Sequence, residues 1–299
     1  MSSILTNSSA MTALESLTQT QKNLQKYQTQ VSTGLRIASA ADNAAYWSIA
    51  TKMSSSVGAL GAVSDALAES AAMISTMNSA LTGSISVLNA IKNDLVAAQE
   101  PGADLAKIGT DIAAQQKQLI SIGSSANFNG QNWLDTAGGT VNLVSSYDPN
   151  NGVSFIAINT TNTQLFDSAT SPTAGALGAA GAASTYSVLG VTVTSSTPIT
   201  TGATGAASIV NFLADVETAI SSVTSAASTL GATLTSVNDQ QTFISNLSDS
   251  LTNGVSSLVD ANMNEVSTKL SALQVQQQLG IQALSIANSN TQIILKLFQ

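Results

Sequence analysis

The sequence predicts a mainly α fold: a long antiparallel helical coiled-coil bundle formed by the N- and C-terminal arms, with a small outer tip that contains a β-hairpin. Three observations predict it. All four prolines, Pro101, Pro149, Pro172 and Pro198, lie in the middle of the chain, so the first 100 and last 101 residues carry no helix-breaking ring. Apolar residues recur at seven-residue spacing in both arms, and between the arms the pattern changes to the two-residue alternation of strands.

In the first arm Met53, Leu60, Leu67, Ile74, Leu81, Leu88 and Leu95 form one seam, with Ile49, Val63, Met77 and Ile91 on the adjoining row. Glu100-Pro101-Gly102 stops that helix, and Leu105, Ile108, Ile112, Leu119 and Ile122 start a shorter one. The second arm answers with a stripe from Ile209 through Val216, Val223, Leu230, Val237, Ile244 and Leu251 to Leu258. Its register slips near Asn262, and a new stripe runs through Val266, Leu270, Leu273, Leu284, Ala287, Ile294 and Phe298, with Gln277, Gly280 and Thr291 at seam positions.

The extreme N-terminus has the same thin character. Leu14, Leu17, Leu24, Val31 and Leu35 form a stripe interrupted by Gln21 and Gln28. Helices with such narrow apolar faces are marginal alone and are expected to order on association. In the middle, Val141–Val144 and Val153–Ile158 flank the turn Asp148-Pro149-Asn150-Asn151-Gly152 and read as a hairpin; Tyr186–Val193 reads as a further strand.

Composition excludes much chemistry. With no Cys and no His, there are no thiol nucleophiles, imidazole bases or His/Cys zinc sites, and no catalytic, cofactor-binding or metal-binding residues are assigned. The turn at Asp148 lacks the spaced carboxylates of a calcium loop. A net charge of −8, with no Lys or Arg between Lys117 and Lys269, argues against nucleic acid as a partner. The opening residues form neither a positive n-region nor an apolar h-region, so no cleaved signal is expected. No apolar run approaches the roughly 20 residues of a membrane span, so no membrane insertion is expected. Trp47 and Trp133 are read as packing residues.

The segment Asn23 to Met53 resembles the N-terminal signature of bacterial flagellins, most specifically in Ser32-Thr33-Gly34-Leu35-Arg36 and Ser39-Ala40-Ala41-Asp42-Asn43-Ala44-Ala45. Phe128-Asn129-Gly130-Gln131 is similar to the family's turn after its second helix, and Val259–Glu265, Gln276–Gly280 and Ala283–Asn288 are similar to its C-terminal block. The tract Asp42–Ala50 looks most like the flagellins of rhizobia and related alphaproteobacteria. The resemblance covers roughly two thirds of the chain. It implies an inner terminal coiled-coil domain of residues 1–42 and 256–299, a helical bundle plus β-hairpin of 43–165 and 205–255, and a small variable surface segment of 166–204.

The implied function is that of a non-enzymatic structural subunit, exported and polymerised into the helical flagellar filament that propels swimming. Implied partners are further copies of the chain or related flagellins in a homo-oligomeric filament, the flagellar type III export apparatus with a secretion chaperone, and the filament cap and hook-associated junction proteins. The implied location is extracellular. Candidate polymerisation and packing residues are Leu17, Leu24, Val31, Leu35, Arg36, Asp42, Leu270, Leu273, Leu284, Ala287 and Ile294, with Arg36 and Asp42 a candidate ion pair. A hook–filament junction protein shares the terminal helices but resembles these motifs less continuously. A flagellin with an enzymatic insert is excluded by the short middle region and the absence of histidine. A cytoplasmic coiled coil is distinguished by whether the protein is secreted.

Overall fold

The computed structural model describes residues 7–167, 174–179, 187–190, 193 and 209–297, with side chains in the last helix described as far as Ser289. Helices α1 (Ser8–Thr33), α2 (Ala44–Ala97) and α3 (Leu105–Ser125) come first. Strands β1 (Thr140–Asp148) and β2 (Gly152–Asn159) follow, then a single turn α4 (Gly175–Gly178) and the helices α5 (Ile209–Val259) and α6 (Met263–Leu297). Two compact units result: residues 1–57 with 249–299, and residues 58–248; α2 and α5 each contribute to both.

In the unit of residues 58–248, the seven-residue seam is buried along its length. Leu67, Ile74, Leu81, Leu88 and Leu95 have no exposed surface, and Leu60 has almost none. The adjoining row alternates large and small: Val63, Ser70, Met77, Ser84, Ile91 and Ala98 are all buried. The two serines can sit there because each hydroxyl donates to the carbonyl four residues back, Ser70 to Ala66 at 2.8 Å and Ser84 to Ala80 at 2.9 Å. On α5 the row Ile209, Val216, Val223, Leu230, Val237 and Ile244 is equally buried. Lys92 of α2 pairs with Glu217 of α5 at 2.8 Å, and Gln115 of α3 donates to Asp94 of α2 at 2.7 Å, fixing the rotation of the three helices at their edges.

An 18-residue window of α2 reaches a mean hydropathy of 1.3, which by length and composition would allow it to cross a membrane, contrary to the expectation above. A third of that window is buried inside the fold, on the heptad rows just described.

The hairpin forms as expected, with Thr140 opposite Asn159 and Asp148 opposite Gly152, and a bulge between Val144 and Ser146. Asp148 closes the turn by accepting the Asn150 and Asn151 amides at 2.7 and 3.3 Å, which also holds its carboxyl below the ordinary range. At the other end of the hairpin lies a second core of Trp133, Leu134, Leu165, Phe166 and Leu177. Gly123 admits it: a Cβ there would lie 2.6 Å from the Phe166 ring.

The expected strand at Tyr186–Val193 is not one where it is described. Val188–Gly190 forms a 3-10 turn instead, with the Val188 side chain buried and its carbonyl accepting from Gln116 of α3 at 2.9 Å. Packing onto a helix overrides the β-branched pattern. Tyr186, Val191 and Thr192 lie outside the described residues.

Candidate functional site

The unit of residues 1–57 and 249–299 is built on the antiparallel pair α1 and α6. Asn7 caps α1, accepting from the Ala10 amide at 3.0 Å, and its side-chain amide donates to Ala287 of α6 at 3.0 Å. A Cβ on Gly280 would sit 3.3 Å from Leu17, so the missing side chain sets how closely the helices approach at that level. At the far end Lys269 lies over the Tyr27 ring, 5.6 Å from its centre, while pairing with Glu265 at 2.6 Å. The Glu265 carboxyl is held below its ordinary value and the Lys269 ammonium above its own, each chiefly by the hydrogen bond to the other.

This seam is only half-buried. Along α1 the partly covered row is Ala13, Leu17, Thr20, Leu24 and Tyr27, ending on buried Gln30. Leu14 and Val31, expected in the stripe, are exposed, as are Gln21 and Gln28. On α6, Leu270, Leu273, Gln277, Gly280, Leu284 and Ala287 are all half-buried; the side chains of Thr291 and Ile294, and Phe298 as a whole, lie outside the described residues. A second apolar set remains open: Met11 and Leu14 on α1, Val275, Leu279 and Ile286 on α6, each more than half exposed.

Between α1 and α2 the chain breaks without a proline. Gly34, at φ 73°, caps α1 by donating its amide to the Gln30 carbonyl at 2.9 Å, a left-handed position suited to glycine. The next residues run antiparallel to the break between α5 and α6. Leu35 bridges Asp260, the Arg36 amide donates to the Val259 carbonyl at 2.6 Å, and the Ala261 amide donates to the Gly34 carbonyl at 2.9 Å. Leu35, Ile37, Ala50, Val255, Leu258 and Val259 close a small apolar cluster beneath this bridge. Asn262 starts α6, its side chain accepting from the Asn264 and Glu265 amides at 3.2 and 3.4 Å, which accounts for the register slip seen in the sequence.

Within the chain Arg36 and Asp42 do not pair with each other. The Arg36 guanidinium donates to the Leu258 carbonyl at 2.8 Å, a last-turn carbonyl of α5 with no intrahelical partner and a site that favours a cation. Asp42 instead accepts from the Ser39 amide, the Ser39 hydroxyl and the Ala38 amide at 3.0, 3.1 and 3.2 Å. These bonds, the Ser39 amide first, hold its carboxyl below the usual range. Each charge finds backbone groups nearer than the other charge. Of the two tryptophans, Trp133 is core, whereas Trp47 is only partly covered and lies beside the exposed Tyr46 and Ile49.

What this unit can do is associate. Among the described residues there is no group of His, Cys, Asp and Glu able to hold a metal, while two apolar rows on paired helices face solvent.

Comparison with known proteins bears on what it associates with. Residues 4–138 match the bacterial flagellin N-terminal helical region, and residues 213–298 match the C-terminal helical region. Flagellin C of Rhizobium meliloti (strain 1021) is 43% identical over 321 aligned positions spanning 100% of both chains. The flagellin of Brucella melitensis biotype 1 is 41% identical, and flagellin A of Rhizobium meliloti (strain 1021) 38%, again over 100% of each chain. With both terminal helical regions matched in order and full-length relatives at this identity, the chain belongs to the bacterial flagellins, structural rather than enzymatic subunits of the filament that drives swimming.

Proposed function

We propose that the α1/α6 pair is the polymerising element: exported through the flagellar apparatus with a chaperone, the chain adds outside the cell beneath the filament cap, on a filament rooted at the hook-associated junction proteins. The observation that supports this is the open second apolar row, Met11, Leu14, Val275, Leu279 and Ile286, on helices whose mutual seam is itself only half-closed. A helix pair that leaves this much apolar surface in water gains by covering it with copies of itself. Contacts of one surface against a different surface on the next subunit do not close, so a tube grows.

In this reading residues 1–42 and 256–299 form the inner layer, 43–165 and 205–255 the next, and 166–204 the variable outer segment. Leu17, Leu24, Leu270, Leu273, Leu284 and Ala287 hold the pair, Val31 lies on its open side, and Leu35, Arg36 and Asp42 shape the elbow at its base. Gln277 and Gly280 in this seam tolerate close approach of the two helices, Gly280 by leaving room for Leu17.

The test is electron microscopy of the purified chain induced to polymerise at neutral pH, beside the chain lacking residues 1–42 and 256–299. Long tubes from the first and only monomers from the second are expected. Tubes from both place polymerisation elsewhere in the chain; tubes from neither mean that it does not self-assemble alone.

A further inference from the structure

Beside the bridge of residues 34–37 lies a cleft of about 200 Å³ whose walls include Lys26, Tyr27, Gln30, Arg36, Glu265 and Lys269. It holds three cations and one carboxylate. That carboxylate, Glu265, is bound to Lys269, and nearby Asp42 is engaged by Ser39 and Ala38. Among the described residues Lys26 has no ion-pair partner, although the Asp42 charge is close enough to be felt. Arg36 spends one terminal nitrogen on the Leu258 carbonyl and is otherwise exposed. The cleft is thus a small basic pocket with one aromatic ring in its lining, in a protein whose net charge is −8.

The charges are segregated along the chain. Residues 1–57 and 249–299 carry six basic and five acidic side chains, whereas residues 58–248 carry three basic and twelve acidic. A second copy of the chain therefore offers an abundance of carboxylates. We infer that this cleft receives an acidic side chain from residues 58–248 of a neighbouring copy, with Lys26 as the primary cation and Arg36 and Lys269 beside it. The contact is polar and partly enclosed, so it sets the register of neighbours and the rate of their addition more than the overall affinity. It is also salt-sensitive, because Lys26 is exposed.

This inference rests on the assembly reading above, and the experiment separates the two. Filaments assembled from a mixture of isotopically light and heavy chains are treated with a carbodiimide, which joins an amine to a carboxylate only when they touch, and the cross-linked peptides are identified by mass spectrometry. Expected is a mixed-isotope cross-link from Lys26 to an acidic residue within 58–248. The variant Lys26→Glu, with helix content unchanged by circular dichroism, is expected to raise the critical concentration for assembly at low salt, a difference that shrinks at high salt. Filaments in which Lys26 is joined only within its own chain, or only to a residue of the neighbour outside 58–248, overturn the inference and leave the assembly reading standing. So does a Lys26→Glu chain with an unchanged critical concentration. Failure of the parent chain to form filaments removes both.

Discussion

The two units contrast in how they are held together. In residues 58–248 the seam positions of α2 are leucine and isoleucine with almost no exposed surface, and the row beside them is sealed by serines that satisfy their own hydroxyls. In the α1/α6 pair the corresponding positions include Thr20, Gln277 and Gly280, none fully buried, and further apolar side chains face outward. The same heptad grammar thus gives a self-sufficient bundle in one place and an unfinished one in the other. The difference lies in how many seam positions are large and apolar, and it separates a scaffold that exists before assembly from a surface that assembly completes.

The largest effect should come from breaking the sealed seam. Leu81→Ala removes a side chain with no exposed surface and should cost about 2–5 kcal/mol, lowering the denaturation midpoint of the unit of residues 58–248 in the free chain. If the midpoint moves no more than for an exposed substitution, that seam is not the sealed one and the contrast fails.

A smaller effect is expected from overfilling the open seam. Gly280→Val places branched carbon against Leu17 and should weaken the α1/α6 pair by about 1–2 kcal/mol. Hydrogen exchange should show faster opening of α1 and α6 with α2 protection unchanged, and polymerisation should weaken. Loss of α2 protection would show that the units are not energetically separable.

The smallest effect concerns acid. The Asp42 and Glu265 carboxyls are held below their ordinary values in the folded chain, so each contributes stability that is fully present above the unfolded value and is lost as pH falls through the folded one. The elbow at the base of α1 should therefore loosen below about pH 4. Asp42→Asn should flatten that dependence by lowering stability near neutrality while leaving it unchanged in acid. A pH profile of α1 exchange identical in parent and variant would remove Asp42 from the account.

Much of this architecture was legible in the sequence, because long heptad rows and a turn-flanked alternating pair are strong local signals. The hairpin and the helices around Leu60 to Leu95 and Ile209 to Leu251 follow the pattern directly. The break at Gly34 was harder to see, since no proline marks it and Leu35 and Ile37 continue the apolar pattern. What ends α1 is the left-handed glycine together with a strand partner more than 220 positions away, and no local window contains both. One row of the α1 seam was misplaced by one position for a related reason: Leu17 and Leu24 lie in the seam as expected, but Ala13, Thr20 and Tyr27 carry too weak an apolar signal to outweigh Leu14, which stays more than half exposed. Arg36 and Asp42 look like a pair because opposite charges six residues apart suggest one, whereas unpaired carbonyls and amides nearby are invisible in a sequence.

The alternation of Val63, Ser70, Met77, Ser84, Ile91 and Ala98 works as a vernier. A plain heptad repeat permits one helix to slide past its partners by seven residues with little change in fit. Here such a slide would carry Val63, Met77 and Ile91 onto the levels now held by Ser70, Ser84 and Ala98, so the smallest displacement that restores the row's own alternation is fourteen residues, about 21 Å along the axis. A long α2 drawn into its bundle from either end therefore meets a single alignment within reach, and repetitive sequence stops short of ambiguous registration.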